Sequence, residues 1–368
     1  MKRFLKWTSM AILFVVTGAG AALVIAYWRS DNDCAARAAT VPRNPMKAIV
    51  HCRYGSPEVL QVEIIEKPVP GPEQVLVRVH AASVNPLDHH YMRGTPYVMR
   101  FDTGLRKPKD TQLGVDFAGT VEAVGTRVTE FKVGEAVFGG GWGSLAEYVV
   151  TSERSVVAKP ENITFEQAAG VRVAGLTALQ AVRDKGRVRP GQKVLINGAS
   201  GGVGTFAVQI AKTLGAHVTG VCSGRNVALV RSLGADEVID YTKQDYTKGA
   251  SRYDVIIDNV GNHSLSAHKR VLVTNGIYVM VSGPKGRWFR PLDRFLMAPV
   301  ISRFSSQKFV PFMAQGRKED MAFLHDLMQQ GKVTPVIDRR YRLSEAAEAM
   351  RYLETGRARG KVIIAIGE

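Results

Sequence analysis

Cysteine is scarce in this 368-residue chain. Cys34, Cys52 and Cys222 are the only three, none in a C-x-x-C or Cys/His arrangement with zinc spacing. They are too few and too scattered for a disulfide scaffold. Long apolar runs are nearly absent as well: one uncharged stretch reaches the ~18 residues a membrane span needs, which excludes a multi-span membrane protein. Acidic residues are in deficit, 33 Asp+Glu against 49 Lys+Arg, for a net charge of +16. No helix-turn-helix, zinc-finger or RNP-like signature accompanies that charge, so no nucleic-acid partner is expected. Solvated surface and sites for phosphorylated ligands account for it instead. Internal repeats and low-complexity tracts are missing too. What remains, 45% hydrophobic and 22% charged, is an ordinary folded composition, and at ~150 residues per domain it predicts two domains.

The one long apolar run is N-terminal. Lys2, Arg3 and Lys6 precede uncharged residues from Trp7 to Trp28, and Arg29 closes the run. At 1.5 Å per residue it spans ~33 Å, enough for a bilayer core. Trp7 at one end, with Tyr27 and Trp28 at the other, suits the two interfaces. The run reads as a single membrane anchor over residues 7–28. A cleaved signal peptide, with Ala19-Gly20-Ala21 as its small-residue site, is the alternative, and the chain would then be exported. Flanking charge does not decide the orientation: three basic residues precede the run, and Arg29, Arg37, Arg43 and Lys47 follow it. Residues 29–45 are polar and Pro-punctuated, a linker.

From Met46 the pattern changes. Gln74 to His80 alternates like a half-buried strand, Gly119 to Val124 gives another, and short strands dominate to about Pro160. Beyond Gln167 the texture is α/β. Lys193 to Asn197 is a short apolar strand, followed by a glycine-rich turn and a helical face of Val203, Ala207, Ile210, Ala211 and Leu214. Strands then recur at His217–Cys222, up to Ile239, at Asp254–Asp258 and at Ile277–Ser282. Strands alternating with helices predict a parallel sheet with right-handed crossovers.

The turn after Asn197 reads Gly198-Ala199-Ser200-Gly201-Gly202-Val203-Gly204. Gly201 and Gly204 fill the last two glycine places of G-x-G-x-x-G, and Ala199 fills the first. Following a strand and opening a helix, this motif lets backbone N–H groups approach a pyrophosphate. About twenty residues further on, an NAD site would carry Asp or Glu; this chain has Ser223-Gly224-Arg225. Ser223 and Arg225 suit a 2′-phosphate, so NADPH is expected, with NADH weaker. A solvated Arg225 is the plain alternative.

Together with Ala82-Ser83-Val84-Asn85-Pro86-Leu87-Asp88, Gly114-Val115-Asp116-Phe117-Ala118-Gly119 and Gly175-Leu176-Thr177-Ala178, this loop resembles the medium-chain dehydrogenase/reductase superfamily, in its zinc-free quinone oxidoreductase branch. The likeness runs from Met46-Lys47-Ala48 to Gly360-Lys361-Val362. It implies an α/β chain with a GroES-like β-rich catalytic domain (46–168), a Rossmann doubly wound parallel-sheet domain binding NADP (169–312) and a C-terminal segment (313–368) returning to the former. The anchor and linker (1–45) precede them. It also implies a quinone or α,β-unsaturated carbonyl substrate and admits a homodimer.

Zinc-dependent members place a Cys where this chain has Asn85 and Gly-His-Glu where it has Gly114-Val115-Asp116, and they carry four structural cysteines that are missing between Gly134 and Tyr148. Neither Asn nor Val replaces such a ligand, so no zinc is expected. Hydrogen-bond donors must then polarise the substrate. Asn85 is the candidate donor, against a role capping the turn before Pro86. His90 stands where many relatives have Tyr and could donate or relay a proton, against a surface role. The resemblance implies nicotinamide contacts for Thr177, a carboxamide contact for Ser282 and Gly283, and a cofactor contact for Lys361. Alcohol dehydrogenase-like activity and an NADPH-binding adaptor with little turnover are the competing readings. NADPH supply places the body on the cytosolic side. Finally, residues 284–312 interleave Trp288, Phe289, Phe295, Phe304, Phe309 and Phe312 with basic residues; they suit a pocket wall, a membrane surface or an amphipathic helix on the sheet.

Overall fold

The computed structural model describes residues 24, 25, 27, 31–283, 286, 288 and 292–367. The expected span at 7–28 therefore lies outside the described residues except for three positions. Among the described residues, no helix is long and apolar enough to cross a membrane.

A short helix α1 (Cys34–Ala38) leads into a two-stranded ribbon of β1 (Pro45–Val50) and β2 (Gln61–Glu66). The linker is not a free tether. Cys34 forms a disulfide with Cys52, a bond that the cysteine count did not anticipate. Arg37 pairs with Asp33 and donates to Thr111 Oγ1, and Lys107 pairs with Asp31 at 2.7 Å.

The first large sheet is built from β3 (Gln74–Val84), β4 (Asp116–Val124), β5 (Ala136–Gly140), β6 (Tyr148–Ser152) and β7 (Val156–Ala158). Its strands up to β7 pair antiparallel, β6 lying on β3. Between β3 and β4 runs α2 (Pro86–Arg93); after β7 comes α3 (Arg172–Leu179).

A six-stranded sheet follows: β8 (Lys193–Asn197), β9 (His217–Cys222), β10 (Glu237–Asp240), β11 (Tyr253–Asp258), β12 (Leu272–Met280) and β13 (Lys308–Pro311). All neighbours are parallel, in the order β10-β9-β8-β11-β12-β13. Counted from β8, that is 3-2-1-4-5-6, the doubly wound order. A parallel sheet is covered on both faces, so its strands read as continuous apolar runs. In β8, Val194 and Ile196 join one fully buried cluster and Leu195 joins another on the opposite face.

Helix α4 (Gly202–Thr213) returns from β8 and buries Phe206, Ala207, Ile210 and Ala211. It stops at Gly215, whose φ of +77° suits a glycine and whose N–H donates to the Lys212 carbonyl. Helix α5 (Val227–Ser232) links β9 to β10, and α6 (Leu292–Arg303) precedes β13. The chain ends with β14 (Ile337–Arg342) and β15 (Lys361–Ala365); β15 pairs antiparallel with β3, Ile364 opposite Ala82. The C-terminal strands thus return to the first sheet and carry Lys361 beside Val84 and Asn85.

Candidate active site

The strand order reverses between β8 and β11, and the glycine turn leaves β8 at that point, where doubly wound sheets open a crevice. Gly198 turns the chain with φ +76°. Gly204 is required by contact: a Cβ there would lie 2.1 Å from the Gly198 carbonyl oxygen, so the helix could not approach the strand. Gly201 and Gly202 differ, since a Cβ at either would meet protein only at 3.4 and 3.3 Å. Their bareness leaves the first N–H groups of α4 open to an anion. Ala199 is fully buried, and Val203 is half-buried. Ser200 Oγ accepts from Asn226 Nδ2 at 3.0 Å, and the same amide donates to Ser223 Oγ at 3.2 Å. Asn226, not singled out from the sequence, therefore ties the phosphate turn to the turn after β9. These residues fit a dinucleotide pyrophosphate.

Arg225 is exposed and donates to the Arg357 carbonyl at 3.1 Å. A carboxylate does reach this corner, from the neighbouring strand. Asp240 ends β10 opposite Cys222 in the sheet, and its Oδ2 lies 2.6 Å from where a Cβ on Gly224 would be. Hydrogen bonds from the Thr242 hydroxyl and N–H hold its carboxyl below the usual range. Reading only the residues after β9 missed it, because the sheet rather than the chain brings it there.

On the other side of the crevice, Asn85 caps α2. Its backbone N–H donates to Asp88 Oδ2 at 2.7 Å, and Asp88 Oδ1 accepts from Gly114 N at 3.0 Å. Asp88 thus orders this loop. The Asn85 amide is committed on every side: Nδ2 donates to Asp116 Oδ2 at 3.1 Å and to the Ser83 carbonyl at 3.3 Å, while Oδ1 accepts from Lys361 Nζ at 2.5 Å. Lys361 is also 3.5 Å from Asp116 Oδ2. Asp116 Oδ1 accepts from Val173 N at 3.1 Å, fastening the start of α3. Asn85, Asp88, Asp116 and Lys361 are all buried.

The arrangement bears on two of the expected contacts. Asn85 has no amide proton left for a substrate oxygen, and the Lys361 ammonium faces a carboxylate rather than a phosphate. The cause is electrostatic: Asp88 and Asp116 lie out of water, and a buried charge needs an opposite one. Burial, with Asp116 nearby, pushes the Asp88 carboxyl up to about 7. Burial likewise lowers Lys361. The Lys361 stem still lines the phosphate turn, its Cδ 3.3 Å from a Cβ built on Gly202.

His90 Nδ1 is 2.7 Å from the Thr95 carbonyl oxygen, which can only accept. The ring proton of neutral His90 therefore sits on Nδ1, and Nε2 donates only in the imidazolium. Thr177 Oγ1 donates to the Val173 carbonyl one turn back in α3 at 2.6 Å, leaving its oxygen the acceptor side. Ser282 N donates to the Asp258 carbonyl at 3.2 Å, and Gly283 touches the next loop: a Cβ on Gly261 would fall 2.6 Å from its Cα. That loop is held by Asp258, a second residue the sequence reading passed over. Its buried carboxylate accepts from Val260 N and Gly261 N at 3.0 Å, Asn197 Nδ2 at 2.9 Å and the Tyr278 hydroxyl at 2.6 Å.

At the places where zinc ligands would stand, Val115 is buried and apolar, and Asn85 and Asp116 face an ammonium. That donor set does not fit a catalytic dication. Among the described residues, no group of three or more His, Cys, Asp or Glu could hold a metal ion.

Two family models match the chain: the alcohol dehydrogenase GroES-like domain over residues 71–161, and the zinc-binding dehydrogenase over residues 233–364. NAD(P)H oxidoreductase RTN4IP1, mitochondrial, of Mus musculus is 35% identical over 372 residues, covering 92% of this chain and 92% of the relative. The trans-enoyl reductase pgmF of Aspergillus terreus is 34% identical, covering 81% of this chain and 88% of its own length. Among solved structures, the quinone oxidoreductase from Coxiella burnetii superposes with a TM-score of 0.77 at 31% identity, over 88% of this chain and 100% of that one.

Proposed function

The chain belongs to the medium-chain dehydrogenase/reductase superfamily, in its quinone oxidoreductase branch, and we propose that this NAD(P)H-dependent oxidoreductase of quinones or α,β-unsaturated carbonyls works with NADPH and without zinc. The observation that carries the reading is the bare N-terminus of α4, with Gly201 and Gly202 open at the point where the strand order reverses. When bound there, the nicotinamide cofactor supplies a hydride.

The residues of the chain do the rest. The turn from Ala199 through Ser200 to Gly204 holds the pyrophosphate, with Ser200 and Ser223 kept in place by Asn226. Arg225 favours a 2′-phosphate; Asp240 opposes it. Thr177, Ser282 and Gly283 line the nicotinamide side. Asn85 is a positioning residue, joining Lys361 and Asp116 and capping the helix that carries His90. His90, on that helix, is the candidate donor to the developing oxyanion. Lacking a metal, the site forgoes Lewis-acid polarisation worth several kcal/mol, and one well-placed donor returns only ~3 kcal/mol. Acceptors already prone to hydride addition are therefore favoured over simple ketones and alcohols.

A panel of quinones, enals and simple ketones, assayed with NADPH in the presence of a chelator, tests this. Chelator-insensitive turnover of quinones or enals is expected. Zinc-dependent alcohol oxidation would move the chain to the alcohol dehydrogenase reading, and tight NADPH binding with no turnover would make it an adaptor.

We further propose that residues 7–28 anchor the chain and that the body faces the cytosol, where NADPH is regenerated. The Cys34–Cys52 bridge pulls the other way, because disulfides persist in oxidising compartments. On the cytosolic reading both thiols alkylate in intact, unreduced cells; a bridged pair in cells would place the body outside.

A further inference from the structure

Helix α6 is apolar on two faces. Its inner face sets Phe295, Ala298 and Ile301 against the cluster of Tyr278 and Phe309. A surface helix with one buried stripe should carry polar residues opposite. Here the outer face instead shows Leu296 at 74% exposure, Met297 at 51% and Val300 at 48%, and Phe304 just past the helix end at 83%. These lie at i, i+1, i+4 and i+8, one continuous ridge. The helix itself is tied to the loop beside Gly283, Arg294 Nη1 donating to the Gly261 carbonyl at 3.0 Å. Trp288, which precedes α6 in the sequence, meets the Tyr97 ring edge-on at 5.0 Å between centroids; Tyr97 itself follows the helix that carries His90.

Residues 285–308 hold six Lys and Arg against the single acid Asp293, and Arg303 and Lys308, flanking Phe304, are exposed. An apolar ridge with basic flanks complements an anionic lipid surface: the apolar side chains enter the acyl boundary while the cations meet headgroup phosphates. A second copy of this chain fits less well, because a two-fold contact through the ridge would bring two sets of Arg303 and Lys308 into one seam with Asp293 as the single acid of each 285–308 segment, in a molecule of net charge +16. We infer that the outer face of α6 docks the catalytic body on an anionic bilayer, turning the crevice toward the lipid. The docking rests on the surface alone and stands whatever acceptor the site reduces.

The test must separate this face from the N-terminal run, so it reads position rather than binding. Phe304→Cys and, as a control on α5 at the opposite edge of the parallel sheet, Ser232→Cys are introduced singly into the full chain and labelled with an environment-sensitive fluorophore. The chains are added to vesicles of phosphatidylcholine with or without phosphatidylglycerol. The account expects a blue shift at position 304 with phosphatidylglycerol, quenched by lipids carrying a spin label in the acyl chain and reversed by salt, with no change at position 232. Equal signals at the two positions, or no quenching at 304 while the chain sediments with vesicles, overturn it. A concentration-dependent shift at 304 without lipid also overturns it, and assigns the ridge to a second copy.

Discussion

Lys361 Nζ donates to Asn85 Oδ1 at 2.5 Å and lies 3.5 Å from Asp116 Oδ2, entirely out of water. One ammonium thus serves two buried carboxylates, Asp116 directly and Asp88 through the loop both order. It also joins the last strand of the chain to the turn that precedes His90. Removing one partner of such a group strands the others, at ~3–5 kcal/mol. Lys361→Met should lower unfolding stability by that amount in denaturant titrations. An unchanged stability with weakened NADPH binding would return Lys361 to the cofactor.

Asn85→Ala leaves Asp116 and Lys361 each short of a hydrogen bond, at ~1–3 kcal/mol of stability. If Asn85 acts on the substrate only by placing α2, as proposed, kcat should fall while the KM for NADPH holds. A loss of kcat near 10²-fold with wild-type stability, the signature of a direct oxyanion donor, would contradict the positioning role.

On the proposed reading, Arg225 and Asp240 oppose each other in the choice of cofactor. A charge-assisted contact to phosphate is worth ~1.5–3 kcal/mol, so Arg225→Ala should cut the NADPH/NADH ratio of kcat/KM by roughly 10- to 150-fold. Asp240→Asn removes the opposing charge and should raise the ratio. If neither variant moves it, the 2′-phosphate lies elsewhere.

Much of this was legible in advance, for reasons visible in particular residues. The parallel strands announce themselves because both faces are buried, as in Val194-Leu195-Ile196, and the glycine turn because Gly204 admits no Cβ. The expected helix after Asn197 and strand 217–222 differ from the observed ones by a residue at most. The contacts that spacing left out share a cause. Asp240 reaches Gly224 across a strand pairing, Asp258 acts through four partners from three segments, and Lys361 is drawn inward by carboxylates 245 and 273 positions away in the chain. Spacing along a sequence carries no trace of such meetings.

Two buried histidines should cost stability in acid, against Asp88, whose raised carboxyl gains stability over the same range. Burial pushes His51 and His268 down to about 4 from 6.5. Each stays neutral in the folded chain while the unfolded chain takes up a proton, so their contribution is whole above pH 6.5 and is lost as pH falls toward 4. For His51 this amounts to about 3 kcal/mol at most. Thermal unfolding of the wild type and of His51→Asn at stepped pH checks it; a difference between them that stays level from pH 7 to 4.5 would show the His51 ring to be charged in the fold.

The Cys34–Cys52 bridge closes a loop with a sequence separation of 18, worth about 3 kcal/mol by chain entropy. A reductant should lower the melting temperature of the oxidised protein but not that of the Cys34→Ser variant, and should leave the KM for NADPH unchanged. A rise in that KM on reduction would tie the strap to the cofactor site.

On the proposed reading, hydride passes directly from nicotinamide to a conjugated acceptor without metal assistance. Reduction of an enone with C4-deuterated NADPH in ordinary water, chelator present, tests it most directly. The account predicts deuterium from one face of the nicotinamide appearing at the β-carbon and a solvent proton at the α-carbon. Product without deuterium at the β-carbon, or turnover abolished by the chelator, would contradict it.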